Sequence, residues 1–298
     1  MGMRFQTEHR ILQAFHRHVG DVRVGDVSPE AVGTFLKGRG PITATWLNKH
    51  RALQGFYRHW ITRGQITSTP VPTVVPRVVQ TFVPHVYSND ELRRLLQAID
   101  DNQARRGCQI SAPTFRVLLL LLYGTGLRIS EAVNLTRGDV DFRAGMLLIR
   151  ETKFYKSRHL PLGPTLVDLL ADYVARTPRA SGSAATAPFF TTVRGTAITK
   201  ALTRMNFVHL RTRAGVHRCP GALGAPRLHD VRHSFAVNRL LAWYREGADV
   251  QRLLPHLSTY LGHRRIESTQ RYLTMIPELL EQASERFERY ATAEATHA

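Results

Sequence analysis

The chain has 298 residues, long enough for two domains, and its 41 Lys and Arg against 23 Asp and Glu give a formal net charge of +18. A charge of this size and sign favours a nucleic-acid partner. The longest aliphatic run, residues 117–122, is far shorter than the roughly 20 residues that cross a membrane, which excludes a membrane-spanning class. We therefore expect a cytoplasmic protein with a nucleic-acid partner, one that would be associated with the nucleoid if that partner is double-stranded DNA.

The two cysteines, Cys108 and Cys219, are too far apart for a CxxC motif, and the sequence has no clustered carboxylates that would suit a metal ion. This pattern argues against a disulfide framework and against a zinc site. We expect no metal and no cofactor.

Three helices are predicted at the N-terminal end, over residues 7–19, 28–37 and 42–63. The second has Ser28 at its N-cap and Pro29 at its first position, as helix starts prefer. In the third, aromatic and aliphatic side chains recur at helical spacing, which is typical of a core-facing stripe. Residues 1–68 are therefore predicted to form a helical domain.

Positive charge is concentrated on this predicted domain, because no carboxylate occurs between Glu30 and Asp90. The alternative is an ordinary solvent-exposed helix face, but such a face usually carries both positive and negative side chains. The one-sided charge favours contact with DNA phosphates. The predicted DNA-binding residues here are Lys37, Arg39, Lys49, Arg51, Arg58 and Arg63.

Residues 69–86 carry prolines at positions 70, 72, 76 and 84. Proline forbids a continuous helix and favours an extended, fairly stiff chain. We predict a linker over 69–86 and a second domain over 87–298.

The second domain is predicted to open with helices over residues 88–100 and 113–123. The sequence Gly124-Thr125-Gly126 then breaks the chain before a new helix over 127–135. On that helix Arg128 and Glu131 share one face at i,i+3. The pair is either a surface ion pair or an arginine held by its carboxylate to bind a phosphate.

Residues 140–162 are predicted to form a short sheet, with turns around Ala144-Gly145 and Phe154-Tyr155. Lys153 and Lys156 flank the second turn, although the chain has only five lysines. A flexible ammonium at a hairpin tip can reach a groove and donate a proton. Chance placement of the two lysines is the alternative.

Helices are predicted over residues 164–176 and 198–213, followed by a motif in which His229 and Arg232 lie at i,i+3. A lone histidine is more often a hydrogen-bonded structural residue than a catalyst. Further on, Gly262 can end a helix with His263 at the junction, and Ser268-Thr269 can cap the next helix. Tyr272 would then lie in the opening turn of that helix, aimed into a cleft.

Taken in order, Gly-Thr-Gly-Leu-Arg128-Ile-Ser-Glu131, Lys153, His229-Asp-Val-Arg232-His-Ser-Phe-Ala, Leu-Gly-His263 and Tyr272 closely resemble the signature of the tyrosine recombinase (phage integrase) family. The resemblance implies a mainly α-helical fold with a small antiparallel β-sheet in the catalytic domain. It identifies residues 1–68 with the family's core-binding domain. It also implies four protomers on two DNA duplexes, as expected of the recombinase or integrase of a mobile genetic element or of a chromosome-resolution system.

The resemblance also assigns roles to residues. Tyr272 would attack the scissile phosphate and form a 3′-phosphotyrosyl link, and the reaction would proceed through a Holliday junction without metal or ATP. Arg128 and Arg232 would bind the phosphate oxygens, with Glu131 supporting Arg128. His263 would hydrogen-bond the phosphate, His229 would assist as base, and Lys153 would protonate the departing 5′ oxygen.

The sequence departs from the family pattern beside the hairpin lysine, where members often carry glycine but Phe154-Tyr155 follow Lys153. The general acid is therefore either Lys153 or Lys156. Two other functions use the same features: a type IB topoisomerase shares the chemistry, and an inactive accessory protein would bind DNA without cleaving it.

A last helix is predicted over residues 277–290, with Pro277 at its first position and glutamates at 278, 281, 285 and 288. Its negative charge should keep it away from DNA. Its apolar face would either fold back on its own domain or, as we expect, dock into a neighbouring protomer.

Overall fold

The structure is a computed structural model that describes residues 6–38, 42–77, 84–150, 157–177, 184–218, 224–263, 265–270 and 272–273. The chain divides into two compact units, Met1–Thr81 and Phe82–Ala298. In the described residues, no helix combines the length and apolar character needed to cross a bilayer.

The described residues of the first unit form three α-helices, α1 (Gln6–Val19), α2 (Pro29–Lys37) and α3 (Ala44–Thr62), all close to their predicted positions, and a short 3-10 helix at Val24–Asp26. Ser28 caps α2 by accepting a hydrogen bond from the Ala31 amide, as its sequence predicts. Phe15, Trp46 and Tyr57 are buried between the helices. Burial of these large rings is the main source of stability in so small a unit.

The segment predicted as a linker packs at both ends. Val71 is buried in the core of the first unit, and the carbonyl of Pro72 lies 2.8 Å from Nε2 of His50. At the other end Val86 packs against the second unit, and Tyr87, the first residue after the predicted linker, is buried there with its backbone amide donating to the hydroxyl of Ser234. Residues 78–83 lie outside the described part of the chain.

The second unit is mainly helical. The bounds of its described helices are α4 (Asn89–Gln97), α5 (Ile99–Gln103), α6 (Ala112–Thr125), α7 (Ile129–Val133), α8 (Pro164–Arg176), α9 (Lys200–Arg213), α10 (Asp230–Arg245), α11 (Val250–Leu261) and α12 (Glu267–Gln270). The helix predicted over 88–100 is thus two helices that meet at Ala98. Helix α6 runs two residues beyond the predicted end and stops at Gly126, which is left-handed at φ +62°.

A three-stranded antiparallel sheet in the order β1-β2-β3 follows α7, with β1 (Val140–Asp141), β2 (Met146–Ile149) and β3 (Arg158–Pro161). Leu147 pairs with Leu160 and Ile149 pairs with Arg158. Gly145 makes the first predicted turn, with φ +62°. Residues 151–156, which include the second predicted turn, Lys153 and Lys156, lie outside the described residues.

The core of the second unit is built around α6, whose leucines at 118, 119, 121 and 122 are buried. Buried residues of β2, β3, α8 and α9 join the same cluster. A second cluster unites α10 and α11 through Val237, Leu240, Leu257 and Leu261. The prediction of a mainly α-helical fold with a small antiparallel sheet is confirmed. The predicted helix over 277–290 lies outside the described residues.

Candidate active site

Four charged residues, Arg128, Glu131, Arg158 and Arg232, form what we call the arginine cluster. Arg128 stands at the N-cap of α7, where its backbone amide donates to Oε2 of Glu131 over 3.0 Å. Its Nη1 donates to Oε1 of the same carboxylate over 2.7 Å. The i,i+3 spacing therefore produces the predicted pair, and the carboxylate holds the arginine through both backbone and side chain.

Glu131 binds a second arginine that the sequence reading missed. Nη1 and Nη2 of Arg158, on β3, donate to its two carboxylate oxygens over 3.2 and 3.0 Å. Burial by itself raises the pKa of Glu131, but the hydrogen bonds and positive charges of Arg158 and Arg128 outweigh it and hold that pKa below its ordinary value. Glu131 is therefore an anion shared by two cations.

The carbonyl groups at the end of α11 accept hydrogen bonds from all three arginines. Nη2 of Arg128 donates to Gly262 over 2.8 Å, and Nη2 of Arg232 donates to Leu261 over 2.7 Å. Nε of Arg158 donates to Tyr260 over 3.0 Å. The last carbonyls of a helix lack intrahelical partners and lie at the negative end of its dipole, so cations are favoured there.

Two glycines let these groups approach closely. Gly262 ends α11 in the left-handed region at φ +66°, and a Cβ there would lie 2.8 Å from Nη1 of Arg158. A Cβ on Gly126 would lie 2.5 Å from the ring of Phe235, while its carbonyl accepts Nη1 of Arg232 over 2.7 Å. Backbone conformation and lack of space both require glycine at these positions.

Arg232 is almost completely buried, with 3% of its surface exposed. Burial, and then repulsion from Arg128, lower its pKa to about 10. The guanidinium remains charged at neutral pH, so the arginine cluster is a partly desolvated concentration of positive charge. An anion bound there would relieve the repulsion between the arginines.

Tyr272 lies just after α12, and we call residues 265–270 with 272–273 the tyrosine turn. The expectation that Ser268-Thr269 cap a helix whose opening turn contains Tyr272 is wrong. Helix α12 starts at Glu267, so both residues are inside it, and the Thr269 hydroxyl contacts Nδ1 of His263 at 2.7 Å. The Tyr272 amide donates to the Thr269 carbonyl over 3.0 Å in a turn that follows the helix.

The ring of Tyr272 is 5% exposed and belongs to the apolar cluster of α10 and α11. Its hydroxyl oxygen lies 3.1 Å from Nδ1 of His233, and its ring stacks against His263 with centroids 6.2 Å apart. Tyr272 also interacts electrostatically with Arg232. Tyr272 is thus in contact with two imidazoles, that of His233 through its hydroxyl and that of His263 through its ring.

Three histidines line this region, and burial is the first cause of a lowered pKa in each. The pKa values of His229 and His233 fall to about 4, and that of His263 falls to about 3. Nearby arginines, chiefly Arg232 for His229 and His263, add to the effect. All three rings are therefore neutral at pH 7 and able to accept a proton or a hydrogen bond.

Five of the six predicted catalytic residues are therefore in one region of the second unit: Arg128, His229, Arg232, His263 and Tyr272. The sixth, Lys153, is outside the described residues, as is Lys156. Sequence reading missed Arg158 and His233, although His233 lies one helical turn after His229 in the same motif. Within the described residues, no group of three or more His, Cys, Asp or Glu could hold a metal ion.

In the first unit, Lys37, Arg51, Arg58 and Arg63 are exposed. Lys49 is engaged within the unit, because its Nζ donates to the Phe35 carbonyl over 2.6 Å and lies 4.4 Å from the centre of the Phe35 ring. Arg39 is outside the described residues. The exposed arginines at 51 and 58 are seven positions apart on α3 and therefore share a face.

Comparison with known proteins gives a match of residues 86–277 to the model of the phage integrase family. The y4rB protein of Sinorhizobium fredii, named for the integrase/recombinase class, is 37% identical over 246 residues, which are 82% of this chain and 78% of that protein. Tyrosine recombinase XerA of Thermococcus kodakarensis is 31% identical over 72% of this chain and 65% of its own length.

Solved structures with the same fold include a Tn1549 transposon integrase in complex with a circular intermediate DNA, with a TM-score of 0.69 and 18% identity over 94% of this chain and 91% of that one. The XerH recombinase in a post-cleavage complex with its difH substrate has a TM-score of 0.67 and 22% identity over 95% of this chain and 79% of that one. A lambda integrase tetramer on a Holliday junction has a TM-score of 0.65 and 16% identity over 89% of this chain and 70% of that one.

Proposed function

Because this chain belongs to the phage integrase family of tyrosine recombinases, we propose that it cleaves and rejoins specific DNA sites through a covalent bond between Tyr272 and a 3′ phosphate. The observation that carries the proposal is the contact of the Tyr272 hydroxyl with His233, the residue next to buried Arg232, whose guanidinium is bonded to the carbonyl next to the one that binds Arg128. A candidate nucleophile and two cations thus lie in one region of the second unit.

Arg128 and Arg232 bind the non-bridging oxygens of the scissile phosphate in this proposal. Their orientation is already fixed by Glu131 and by the carbonyls of α11, so little reorganisation is needed when charge develops on phosphorus. His263 donates a hydrogen bond to the same phosphate, and neutral His229 assists proton transfer. Glu131 supports the arginines without touching the substrate.

The reaction is a metal-free transesterification. The Tyr272 oxygen forms a bond to phosphorus as the bond from phosphorus to the 5′ oxygen breaks, and Lys153 or Lys156 gives that oxygen a proton. One phosphoester replaces another, so the bond energy is retained and the 5′ hydroxyl of a partner strand can reverse the step. Exchange of one strand pair at a time leads through a Holliday junction.

Strand exchange requires two duplexes and therefore several protomers, and we propose a tetramer on two sites. The lambda integrase tetramer, with the same fold, supports this assembly. Residues 277–290 are the segment that we propose to link protomers, through the apolar face that their sequence predicts.

The exposed basic residues Lys37, Arg51, Arg58 and Arg63 are proposed to contact DNA phosphates from the first unit. Each such contact releases counterions, so binding should weaken steeply as salt is raised. Arg39 is included on its sequence position alone. Lys49 would contribute mainly to the packing of α2 against α3.

The test is a covalent-trapping assay. Bound duplexes are first selected from a random pool, and a nick is then placed close to the candidate cleavage position so that the cleaved end diffuses away. The wild-type chain should form a protein–DNA adduct in EDTA. Tyr272→Phe loses only a hydroxyl, so it should bind the site with unchanged affinity and form no adduct.

Other outcomes would replace the proposal. An adduct in Tyr272→Phe would exclude Tyr272 as the nucleophile and make Tyr260 the next candidate. Adducts formed with little sequence preference, together with relaxation of supercoils, would indicate a topoisomerase. Site-specific binding with no adduct would indicate an accessory protein, and loss of cleavage in EDTA that Mg²⁺ restores would exclude the metal-free mechanism.

A further inference from the structure

His233 is a histidine to which neither the motif reading nor the resemblance gives a role, yet it contacts the reacting atom. Its Nδ1 lies 3.1 Å from the Tyr272 hydroxyl oxygen, within ordinary hydrogen-bond distance. It stands on α10 four residues after His229, and the two rings meet edge to face with centroids 5.0 Å apart. The start of α10 therefore carries two adjacent imidazoles, and that of His233 contacts the tyrosine.

The surroundings keep the His233 ring neutral in the absence of DNA. It is packed against His229 and Tyr272, and Asp230, Arg227 and Arg232 act on its charge. Burial and then the charge of His229 lower its pKa to about 4, with Arg227 and Arg232 contributing in the same direction and Asp230 opposing them. A neutral ring with its proton on Nε2 has an Nδ1 lone pair to offer the hydroxyl.

We propose that His233 is the proton acceptor for Tyr272, an inference that rests on the function proposed above. As the phenolic oxygen bonds to phosphorus, its proton moves to Nδ1 of His233. The bond from phosphorus to the 5′ oxygen breaks at the same time, and the hairpin lysine supplies the proton that this oxygen takes. In the rejoining step both protons return along the same paths.

Binding of DNA adjusts the basicity of this ring. A phosphodiester between Arg128 and Arg232 brings one negative charge next to a site that is otherwise dominated by positive charge. An opposite charge nearby favours the protonated form of an imidazole. His233 therefore becomes a stronger base when the scissile phosphate arrives, and the tyrosine is activated only when it has a target.

The other two imidazoles are better suited to different tasks. Nδ1 of His263 is engaged with the Thr269 hydroxyl at 2.7 Å, which anchors that ring to the tyrosine turn. His229 precedes the first turn of α10 and has the charge of Arg232 as the second cause of its lowered pKa. His229 meets the ring of His233 edge to face, so the assistance to proton transfer proposed for it above acts through His233, which contacts the tyrosine hydroxyl.

The first experiment compares His233→Asn with wild type on the nicked duplex described above. Asparagine keeps a polar atom near the position of Nδ1 but cannot take up a proton. Removal of a general base typically lowers a rate by 10² to 10⁴, so we expect cleavage to slow by about 100-fold with unchanged DNA affinity. His256→Asn, at an exposed position on α11, is the matched control and should cleave like wild type.

The second experiment separates loss of a base from loss of an acid. A substrate with sulfur in place of the bridging 5′ oxygen has a leaving group of low pKa that departs without a proton. The His233→Asn defect should persist on this substrate, whereas the defect of Lys153→Ala or Lys156→Ala, whichever removes the acid, should largely disappear. In His233→Gly, added imidazole should restore cleavage in proportion to its concentration of free base.

Three results would overturn the inference: cleavage by His233→Asn within about threefold of wild type, rescue of its defect by the sulfur substrate, or faster cleavage than wild type. The last would mean that His233 restrains the tyrosine. A variant with a folding defect would also lose affinity for DNA. Imidazole rescue is therefore measured on His233→Gly protein that still binds DNA. An adduct in Tyr272→Phe would instead refute the proposed function itself.

Discussion

In the arginine cluster, one buried carboxylate binds two guanidiniums, and three consecutive carbonyls of α11 accept further hydrogen bonds. In the described part of the tyrosine turn, Tyr272 follows a helix of four residues and its hydroxyl contacts a neutral histidine. The groups that would bind charge are thus fixed in advance by strong, charge-assisted bonds. The group that would move during the reaction is held by weaker contacts.

This difference predicts that substitutions in the arginine cluster affect folding and cleavage together. Glu131→Gln leaves Arg128 and Arg158 without their shared anion, and loss of one partner from a buried ion pair is strongly destabilising. We expect a loss of about 3 kcal/mol in the free energy of unfolding, measured by urea denaturation, with severe loss of cleavage.

The matched control for Glu131→Gln is Asp90→Asn, which removes a carboxylate paired with Arg93 and Arg94 on the surface of α4. Exposed pairs contribute less than about 1 kcal/mol, so this variant should stay close to wild type in stability and in cleavage. Equal effects of the two substitutions would contradict the idea that the cluster is preorganised.

The buried histidines predict an acid-sensitive site. In the folded chain the pKa values of His229 and His233 are about 4, and in the unfolded chain they return to about 6.5. The unfolded state therefore binds more protons below pH 6.5, so the stability is fully present above that pH and is lost as pH falls towards 4. We expect each of these two rings to contribute a loss of roughly 2 kcal/mol between pH 7.5 and 5.

Urea denaturation across this pH range tests the point. His233→Asn should lose less stability on acidification than wild type, because it lacks one of the groups that take up a proton on unfolding. His256→Asn removes an exposed ring and should follow the wild-type curve. Identical pH dependence in wild type and His233→Asn would show that the ring is not buried in neutral form.

The smallest expected effect concerns the link between the tyrosine turn and α11. Thr269→Val removes the hydroxyl that contacts His263 but keeps the shape of this completely buried side chain. We expect a loss of about 1 kcal/mol in stability and a larger loss in the rate of adduct formation, because His263 loses its anchor to the turn that carries Tyr272. Thr269→Ser keeps the hydroxyl and should cleave faster than Thr269→Val. Faster cleavage by Thr269→Val than by Thr269→Ser would show that the hydroxyl contact with His263 does not support cleavage.

What the sequence predicted correctly was mainly local. Arg128 and Glu131 meet because they are three positions apart at a helix start, and Gly262 ends α11 because it can adopt a positive φ. The missed contacts join distant residues: Arg158 reaches Glu131 across 27 positions, and His233 meets Tyr272 across 39. Periodicity carries no information about such pairs.

The error at the tyrosine turn has a related cause. A Ser-Thr pair before a helix is a common cap, and local preference placed the helix after it. In the fold, Thr269 is completely buried and its hydroxyl contacts the side chain of His263 instead of capping a following helix. The motif around His229 did contain a usable signal, because His233 follows at i+4 and must share the face of α10 that carries His229.

The long separations in the arginine cluster also set the order in which the site can come together as the chain is made. Arg128 donates to the carbonyl of Gly262, 134 positions later. Arg232 donates to the carbonyl of Gly126, 106 positions earlier, and to that of Leu261, 29 positions later. Such contacts close only after the intervening chain has been synthesised and has folded.

A nascent chain that has reached residue 250 already contains both arginines but not the carbonyls of Leu261 and Gly262 that orient them, nor Tyr272. The anion-binding groups and the hydroxyl are therefore completed together, once residues 261–272 have been added to the chain. Translation products that end before residue 261 keep the basic residues that we propose to contact DNA, yet they lack Tyr272, the nucleophile that we propose.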